Sequence, residues 1–306
     1  MMGSTAGVIG LGDMGSGLAK NLLKAGFTVK GFDISEKRLG DFAATGGTPA
    51  ASVAQAGEGA DCVFVMVMTG AQASSVILGG GGAKGLKDTM PPGSAILLTA
   101  TIQASEVRDI AAGLAGSGIH FIDTPVSGGF PGAQGGTLTM MAAGSDAALE
   151  KARPAMESVS ATIHRVGAEA GMGQTVKACL QSLIGSIFTA TFEASVLAAK
   201  AGVDAEALFK VVSTSSAGCG AAKTALENII DRKFEGTGSH INTMYKDMTI
   251  AMDLARELGV PLFTAATAMQ LFQAGRTKYP DGDNWTVTRV LEDIVGAELS
   301  RKGAGS

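Results

Sequence analysis

Cysteine is scarce in this sequence, and what there is does not pair. Three cysteines fall in 306 residues, at Cys62, Cys179 and Cys219, far apart and never as Cys-x-x-Cys. That excludes a disulfide scaffold and a zinc ribbon, and it leaves reduced structural thiols in a reducing, cytoplasmic compartment as the expectation. Histidine is equally rare. His120, His164 and His240 have no metal-ligand spacing, so no metal is expected. Positive charge is not in excess: a formal net charge of -4 gives no basic footprint and excludes nucleic acid as the expected partner. The N-terminus lacks a basic region followed by an apolar one, so no secretory signal is expected. No apolar run reaches membrane-spanning length free of polar breaks, which argues against a membrane partner. Internal repeats and blocks of like charge are missing too.

Glycine and apolar residues are what the chain has in quantity. Its 44 glycines show no three-residue period and cluster in turns, loops and helix entries. Apolar residues make up 46% and charged residues 17%, enough for a substantial core in two domains or one large one.

The opening reads as strand, glycine turn, helix, strand, acid. Ala6-Gly7-Val8-Ile9 is a short buried strand, followed by Gly10-Leu11-Gly12-Asp13-Met14-Gly15 and a helix carrying Leu18, Leu22 and Leu23. The next strand ends at Asp33, 21 positions beyond Gly12. GxGxxG alone is a weak signal, but here a strand precedes it, a helix follows it, and the acid stands at the right distance. Gly10 permits the tight turn, Gly12 lets the backbone approach a pyrophosphate, and Gly15 lets helix pack on strand. The helix N-terminus offers free N–H groups to phosphate. Asp33 accepts from ribose hydroxyls and repels a 2′-phosphate. Arg38 lies five residues on, too far along to be the usual replacement for that acid, so NAD is expected in preference to NADP.

Further strands follow at 62–68, 94–98, 119–122 and 138–142, separated by helical segments. The continuous apolar run from Cys62 to Met68 suits a strand buried on both faces. The alternation predicts a doubly wound parallel sheet, with the ligand beyond the carboxyl ends of its strands. Residues 68–72, 99–102 and 123–129 are therefore the expected site-forming loops. Within the third, Ser127-Gly128-Gly129 makes a small open turn whose hydroxyl and N–H groups suit a carboxylate.

From about Gly171 the strand pattern stops. Gly171-Met172-Gly173 opens a long apolar helix in which Val176, Leu180, Leu183, Ile184, Ile187, Phe188 and Phe192 recur at helical spacing. Lys177 sits inside this run, with Gln181 one turn away on the same face. Desolvating an ammonium is costly, so its placement needs a reason; a lysine snorkelling to solvent is the plain alternative. Helices are expected at 173–201, 204–213, 221–230, 242–258, 263–274 and 285–297, with Asp204 as an N-cap. Domains are placed at 1–168 and 169–306. So apolar a helical half is expected to pair with a second copy, as a homodimer or homotetramer. Arg276, Lys278 and Asp283 could reach a substrate's distal groups, but the reading preferred is solvated surface charge.

These motifs resemble the β-hydroxyacid dehydrogenase family, which includes 3-hydroxyisobutyrate dehydrogenases, tartronate semialdehyde reductases and four-carbon sugar-acid dehydrogenases. The likeness rests on Gly10 through Gly15 running on to Ala19 and Asn21-Leu22, on Asp123 through Leu138, on Gly171, Gly173 and Lys177, and on Lys246-Asp247. It covers nearly the whole chain. It implies an α/β fold: a Rossmann-like domain, then an all-α domain of the 6-phosphogluconate dehydrogenase type, linked by the long helix. It further implies Lys177 as the catalytic acid/base, with Ser127, Gly128, Gly129 and Gln181 on a small hydroxy acid. NAD would be held by Gly10, Leu11, Gly12, Asp13, Met14, Gly15, Asp33, Met68, Thr101 and Lys246. The reaction implied is oxidation of a hydroxyl β to a carboxylate, with threonate preferred among substrates. A lysine of ordinary pKa, roughly 10.4, is a poor base at neutral pH. Burial and the positively charged nicotinamide are expected to lower it.

Two departures bear on substrate. Leu180 stands where the family has asparagine, and Leu98-Thr99-Ala100-Thr101 replaces its Asp-x-Ser-Thr. Two rival readings share the fold, a non-catalytic cofactor-binding scaffold and an imine reductase. Relatives of both kinds lack the lysine, so Lys177 counts against each.

Overall fold

The computed structural model describes residues 4–301. The chain divides into two compact units, 1–177 and 178–306.

In the first unit strands and helices alternate: β1 (Thr5–Ile9), α1 (Asp13–Lys24), β2 (Thr28–Phe32), α2 (Glu36–Ala44), β3 (Thr48–Pro49), α3 (Val53–Gly57), β4 (Cys62–Val65), α4 (Gly70–Leu78), β5 (Ala95–Leu98), α5 (Ala104–Gly113) and β6 (His120–Asp123). The strands lie in the order β3-β2-β1-β4-β5-β6, every pair parallel. The order reverses at β1, which is the switch point where such sheets bind ligands. Side-chain alternation explains the two cores. Ala6, Val8, Phe64 and Leu97 face one layer of helices, while Ile9, Val63, Val65, Ile96 and Leu98 face the other.

Beyond β6 the sheet departs from the all-parallel expectation. β7 (Val126–Ser127) continues past Pro125, and α6 (Gly129–Gly135) turns the chain back. β8 (Leu138–Ala143) therefore runs antiparallel to β6 and β7. A true crossover through α7 (Asp146–Val159) then restores parallel pairing between β8 and β9 (Ser160–Gly167). The apolar run after Cys62 also stops being strand at Val65, so Met66 to Met68 already belong to the loop.

A 29-residue helix, α8 (Met172–Lys200), starts in the first unit and supplies the first helix of the second. By length and composition it is apolar enough to cross a membrane, contrary to the sequence expectation. Its apolar residues are used otherwise: Phe188 and Phe192 pack in a core with Met248, Phe272 and Trp285. Phe188 meets the Trp285 ring edge-on at 5.2 Å. Close approach is built in at Gly185, where a Cβ would lie 2.5 Å from Met248 Sδ. The remaining helices are α9 (Ala205–Thr214), α10 (Gly220–Ile230), α11 (Ile241–Leu258), α12 (Phe263–Lys278) and α13 (Thr288–Val295), the last preceded by a 3-10 turn at Asn284–Val287. Asp204 caps α9 by accepting the Ala207 N–H at 2.9 Å.

Asp283 corrects the surface-charge reading. It is fully buried and accepts bonds from the Thr237 N–H and hydroxyl, each at 2.6 Å, and from the Ser239 N–H at 3.2 Å. Cys62 is buried, and that burial pushes its thiol up to about 12, whereas Cys179 is exposed rather than packed inside the helix bundle. Among the described residues no cluster of His, Cys, Asp and Glu is arranged to hold a metal ion.

Candidate active site

The glycine turn is shaped by steric necessity. Gly10 has φ +90°, and a Cβ there would lie 2.2 Å from Met66 O. A Cβ on Gly15 would lie 1.7 Å from Gly10 O, so only glycine lets α1 begin this close to β1. Gly12 is the N-cap of α1, and no side chain caps that helix. Its first-turn N–H groups are oriented for an anion. Space at Gly12 is open: the nearest atoms to the position a Cβ would take belong to the Arg38 guanidinium, at 3.7 Å.

Asp33 follows β2 and is buried. Its Oδ2 accepts the Leu11 N–H at 2.7 Å and its Oδ1 accepts the Ser35 N–H at 2.9 Å. The acid thus braces the turn it is expected to serve. Leu11 and Met14 turn their side chains to the core, and Asp13 is exposed at the start of α1. An open glycine, an uncapped helix start and an acid at the next strand end fit an adenosine diphosphate moiety.

The loops after β4 and β5 come next. Met68 is exposed, with its N–H bonded to Gln72 Oε1 at 2.9 Å; Thr69 and Gln72 form a capping box at the start of α4. Thr101 is half-buried between two residues held by Gln174. Gln174 Nε2 donates to Ala100 O at 3.0 Å, and its Oε1 accepts the Ile102 N–H at 3.1 Å.

The start of α8 is fastened to the sheet by one carboxylate. Asp123, the last residue of β6, is fully buried. Its Oδ2 accepts the Gly171 N–H at 2.9 Å and the Gln174 N–H at 3.2 Å, while its Oδ1 accepts Gln174 Nε2 at 2.9 Å. Burial pushes the Asp123 carboxyl up to about 6, against these donors, which pull it down. Gly173 is needed for the contact, since a Cβ there would lie 2.7 Å from Asp123 O and Met141 O.

Three residues along, Lys177 leaves the helix toward the substrate loop. It is 6% exposed, which rules out a lysine snorkelling to water. Its Nζ donates to Val126 O at 2.9 Å, one residue before Ser127. Ser127 pairs with Thr139 of β8, and Gly128 and Gly129 follow with φ of +129° and +58°. Only glycine holds this backbone without strain, and both glycines are exposed.

In the second unit, Gln181 is buried and donates Nε2 to Asp247 Oδ2 at 2.7 Å. Lys246 Nζ lies 2.9 Å from Asp247 Oδ1. Asp247 thus joins two residues that the sequence reading gave to different ligands. Sequence reasoning also missed Gln174 and the part played by Asp123. An acid closing an apolar strand and an amide in the first turn of an apolar helix were the available signals.

The pattern of the NAD binding domain of 6-phosphogluconate dehydrogenase matches residues 5–167. That of the NAD-binding domain of NADP-dependent 3-hydroxyisobutyrate dehydrogenase matches residues 171–291. The chain belongs to the β-hydroxyacid dehydrogenase family. It is similar to L-threonate dehydrogenase of Cupriavidus necator, 33% identical over 301 residues that cover 98% of this chain and 99% of the relative. L-threonate dehydrogenase of Escherichia coli K12 is 32% identical over 291 residues, covering 94% and 95%. Among solved structures, 3-hydroxyisobutyrate dehydrogenase from Salmonella typhimurium superposes with a TM-score of 0.85 at 30% identity, covering 94% of this chain and 99% of that one. This β-hydroxyacid dehydrogenase is accordingly an NAD-dependent oxidoreductase acting on the hydroxyl groups of hydroxy acids.

Proposed function

We propose that the protein oxidises L-threonate or a closely similar β-hydroxy acid, with Lys177 as the general base. The observation that carries this reading is the buried Lys177 Nζ donating to Val126 O at the base of the Ser127-Gly128-Gly129 loop. Bound NAD supplies the acceptor for the hydride that leaves the carbinol carbon.

The chain's own residues do the rest. The Ser127 hydroxyl and the N–H groups of the loop hold the substrate carboxylate, which fixes the orientation of the hydroxyl. Lys177, neutral before the step, takes the hydroxyl proton on Nζ as the C–O bond becomes a carbonyl; in reduction it returns that proton. Its bond to Val126 O restrains the nitrogen. Gly10 to Gly15 hold the pyrophosphate, Asp33 the ribose, and Met68 and Thr101 the nicotinamide end. The substrate role that the resemblance implies for Gln181 has to leave out its Nε2, which is already given to Asp247.

Threonate as substrate comes from the relatives' activity. Leu180, half-buried, puts an apolar side chain where the family has asparagine. Exposed Leu183, Leu197, Val211 and Phe263 of the second unit support a homodimer or homotetramer, read out by light scattering of the eluting protein.

A panel of L-threonate, 3-hydroxyisobutyrate, L-serine and tartronate semialdehyde (the last with NADH) tests the substrate. The highest kcat/KM is expected with L-threonate. Turnover of none of them would overturn the reading in favour of a cofactor-binding scaffold.

A further inference from the structure

The dinucleotide turn contains a charge that sequence distance concealed. Arg38 is five residues beyond Asp33, in the first turn of α2, yet its Nη1 lies 3.6 Å from Asp33 Oδ2. The same guanidinium stands 3.7 Å from where a Gly12 Cβ would be, over the open glycine of the turn. The pair is asymmetric: the Asp33 side chain is 5% exposed, the Arg38 side chain 51%. One carboxylate is therefore inside, committed to the Leu11 and Ser35 N–H groups, and one cation stands outside it facing the ribose end of the site. Of the neighbouring charges, Lys37 and Asp41 pair with each other at 2.6 Å.

An isolated aspartate at this position discriminates against NADP by repelling its 2′-phosphate. Here the repelling charge is offset at 3.6 Å by a group whose planar fork matches phosphate. We propose that Arg38 is a second determinant of cofactor choice, which holds the 2′-phosphate of NADP and lets the protein bind NADP as well as NAD. Asp33 still serves the ribose hydroxyls, so NAD remains the better ligand, and Arg38 sets how much better. The inference rests on the dinucleotide site described above and is independent of which hydroxy acid is oxidised.

Isothermal titration calorimetry of the full chain with NAD and with NADP tests this without any turnover. The wild type is expected to bind both, with NADP weaker. Arg38→Gln, which keeps much of the side chain's length and its polarity but not its charge, is expected to weaken NADP by about tenfold or more, as loss of a charged hydrogen bond does. NAD is expected to change by less than about threefold, a loss small beside that of a charged contact. Added salt should weaken NADP more than NAD in the wild type and equally in the variant. Wild-type protein that binds NAD and not NADP overturns the proposal and leaves the dehydrogenase reading standing. Equal weakening of both ligands by Arg38→Gln also overturns it, because the arginine would then only cover the adenine. Binding of neither ligand by the wild type would bring down the dinucleotide site itself.

Discussion

Replacing Gln174 with leucine removes the tie between α8 and two strand-end loops, and the structure sets the size of the effect. Three side-chain hydrogen bonds disappear: to Asp123 Oδ1 at 2.9 Å, to Ala100 O at 3.0 Å and from the Ile102 N–H at 3.1 Å. The first involves a carboxylate and is worth about 1.5–3 kcal/mol. The others leave a buried carbonyl and a buried N–H without partners, at about 1–3 kcal/mol each before relaxation. Leucine recovers some apolar burial, so a net loss on the order of 3–5 kcal/mol is expected. The loss is local, and the amide of Ile102 reports it directly. Its hydrogen exchange should accelerate by roughly a hundredfold or more, while amides of α12 in the second unit keep their protection. Turnover should fall further than NAD affinity, because Lys177 is carried on the loosened end of the helix. Gln174→Glu is the matched control. One oxygen still accepts from Ile102, but the other faces Ala100 O and Asp123 Oδ1, so the two carboxyls must share a proton. That variant should be nearly as stable as the wild type at acid pH and lose stability as the pH rises and the proton leaves. Unchanged Ile102 exchange together with an unchanged melting temperature in Gln174→Leu would refute the reasoning.

Three further outcomes are expected. Asp123 carries a carboxyl raised by burial to about 6 in the folded protein. Such a group contributes stability that is complete below its unfolded value and is lost as pH rises through about 6, on the order of 3 kcal/mol in all. Asp123→Asn should remove that part of the slope in denaturant titrations between about pH 4 and pH 7; an unchanged slope would exclude the assignment. Ser127→Ala should raise KM for the hydroxy acid by about tenfold, the cost of one hydrogen bond to a carboxylate, with the Kd for NAD unaltered by calorimetry. Gly15→Ala puts a Cβ 1.7 Å from Gly10 O, so calorimetric NAD binding should be lost or reduced by orders of magnitude while the melting transition of the second unit persists.

Much of the first unit was legible because its signals are local. Alternating apolar runs place β1, β4 and β5, and the Gly10 to Gly15 turn depends on contacts within a few residues. The reversal at β8 was not legible, because it depends on where Pro125 and the short α6 send the chain. Residues whose roles depend on long-range contacts were missed for the same reason. Arg38 looks remote from Asp33 along the sequence, yet the first turn of α2 brings it back beside the carboxylate. Asp283 reads as surface charge in a polar stretch and proves to be the buried acceptor for residues more than forty positions away. Lys177 was identifiable from the oddity of a cation in an apolar helix; its target, Val126 O, lies 51 residues earlier in the chain and no periodicity announces it.

The central claim is that the Lys177 nitrogen moves the substrate proton, and one comparison tests it most directly. Lys177→Ala and wild-type protein are each given saturating NAD and L-threonate, NADH formation is followed by its absorbance, and NAD binding is measured on the same samples by calorimetry. The account predicts a fall in kcat of about a hundredfold to ten-thousandfold with NAD affinity preserved within about twofold. A variant that binds NAD and turns over at the wild-type rate would contradict it.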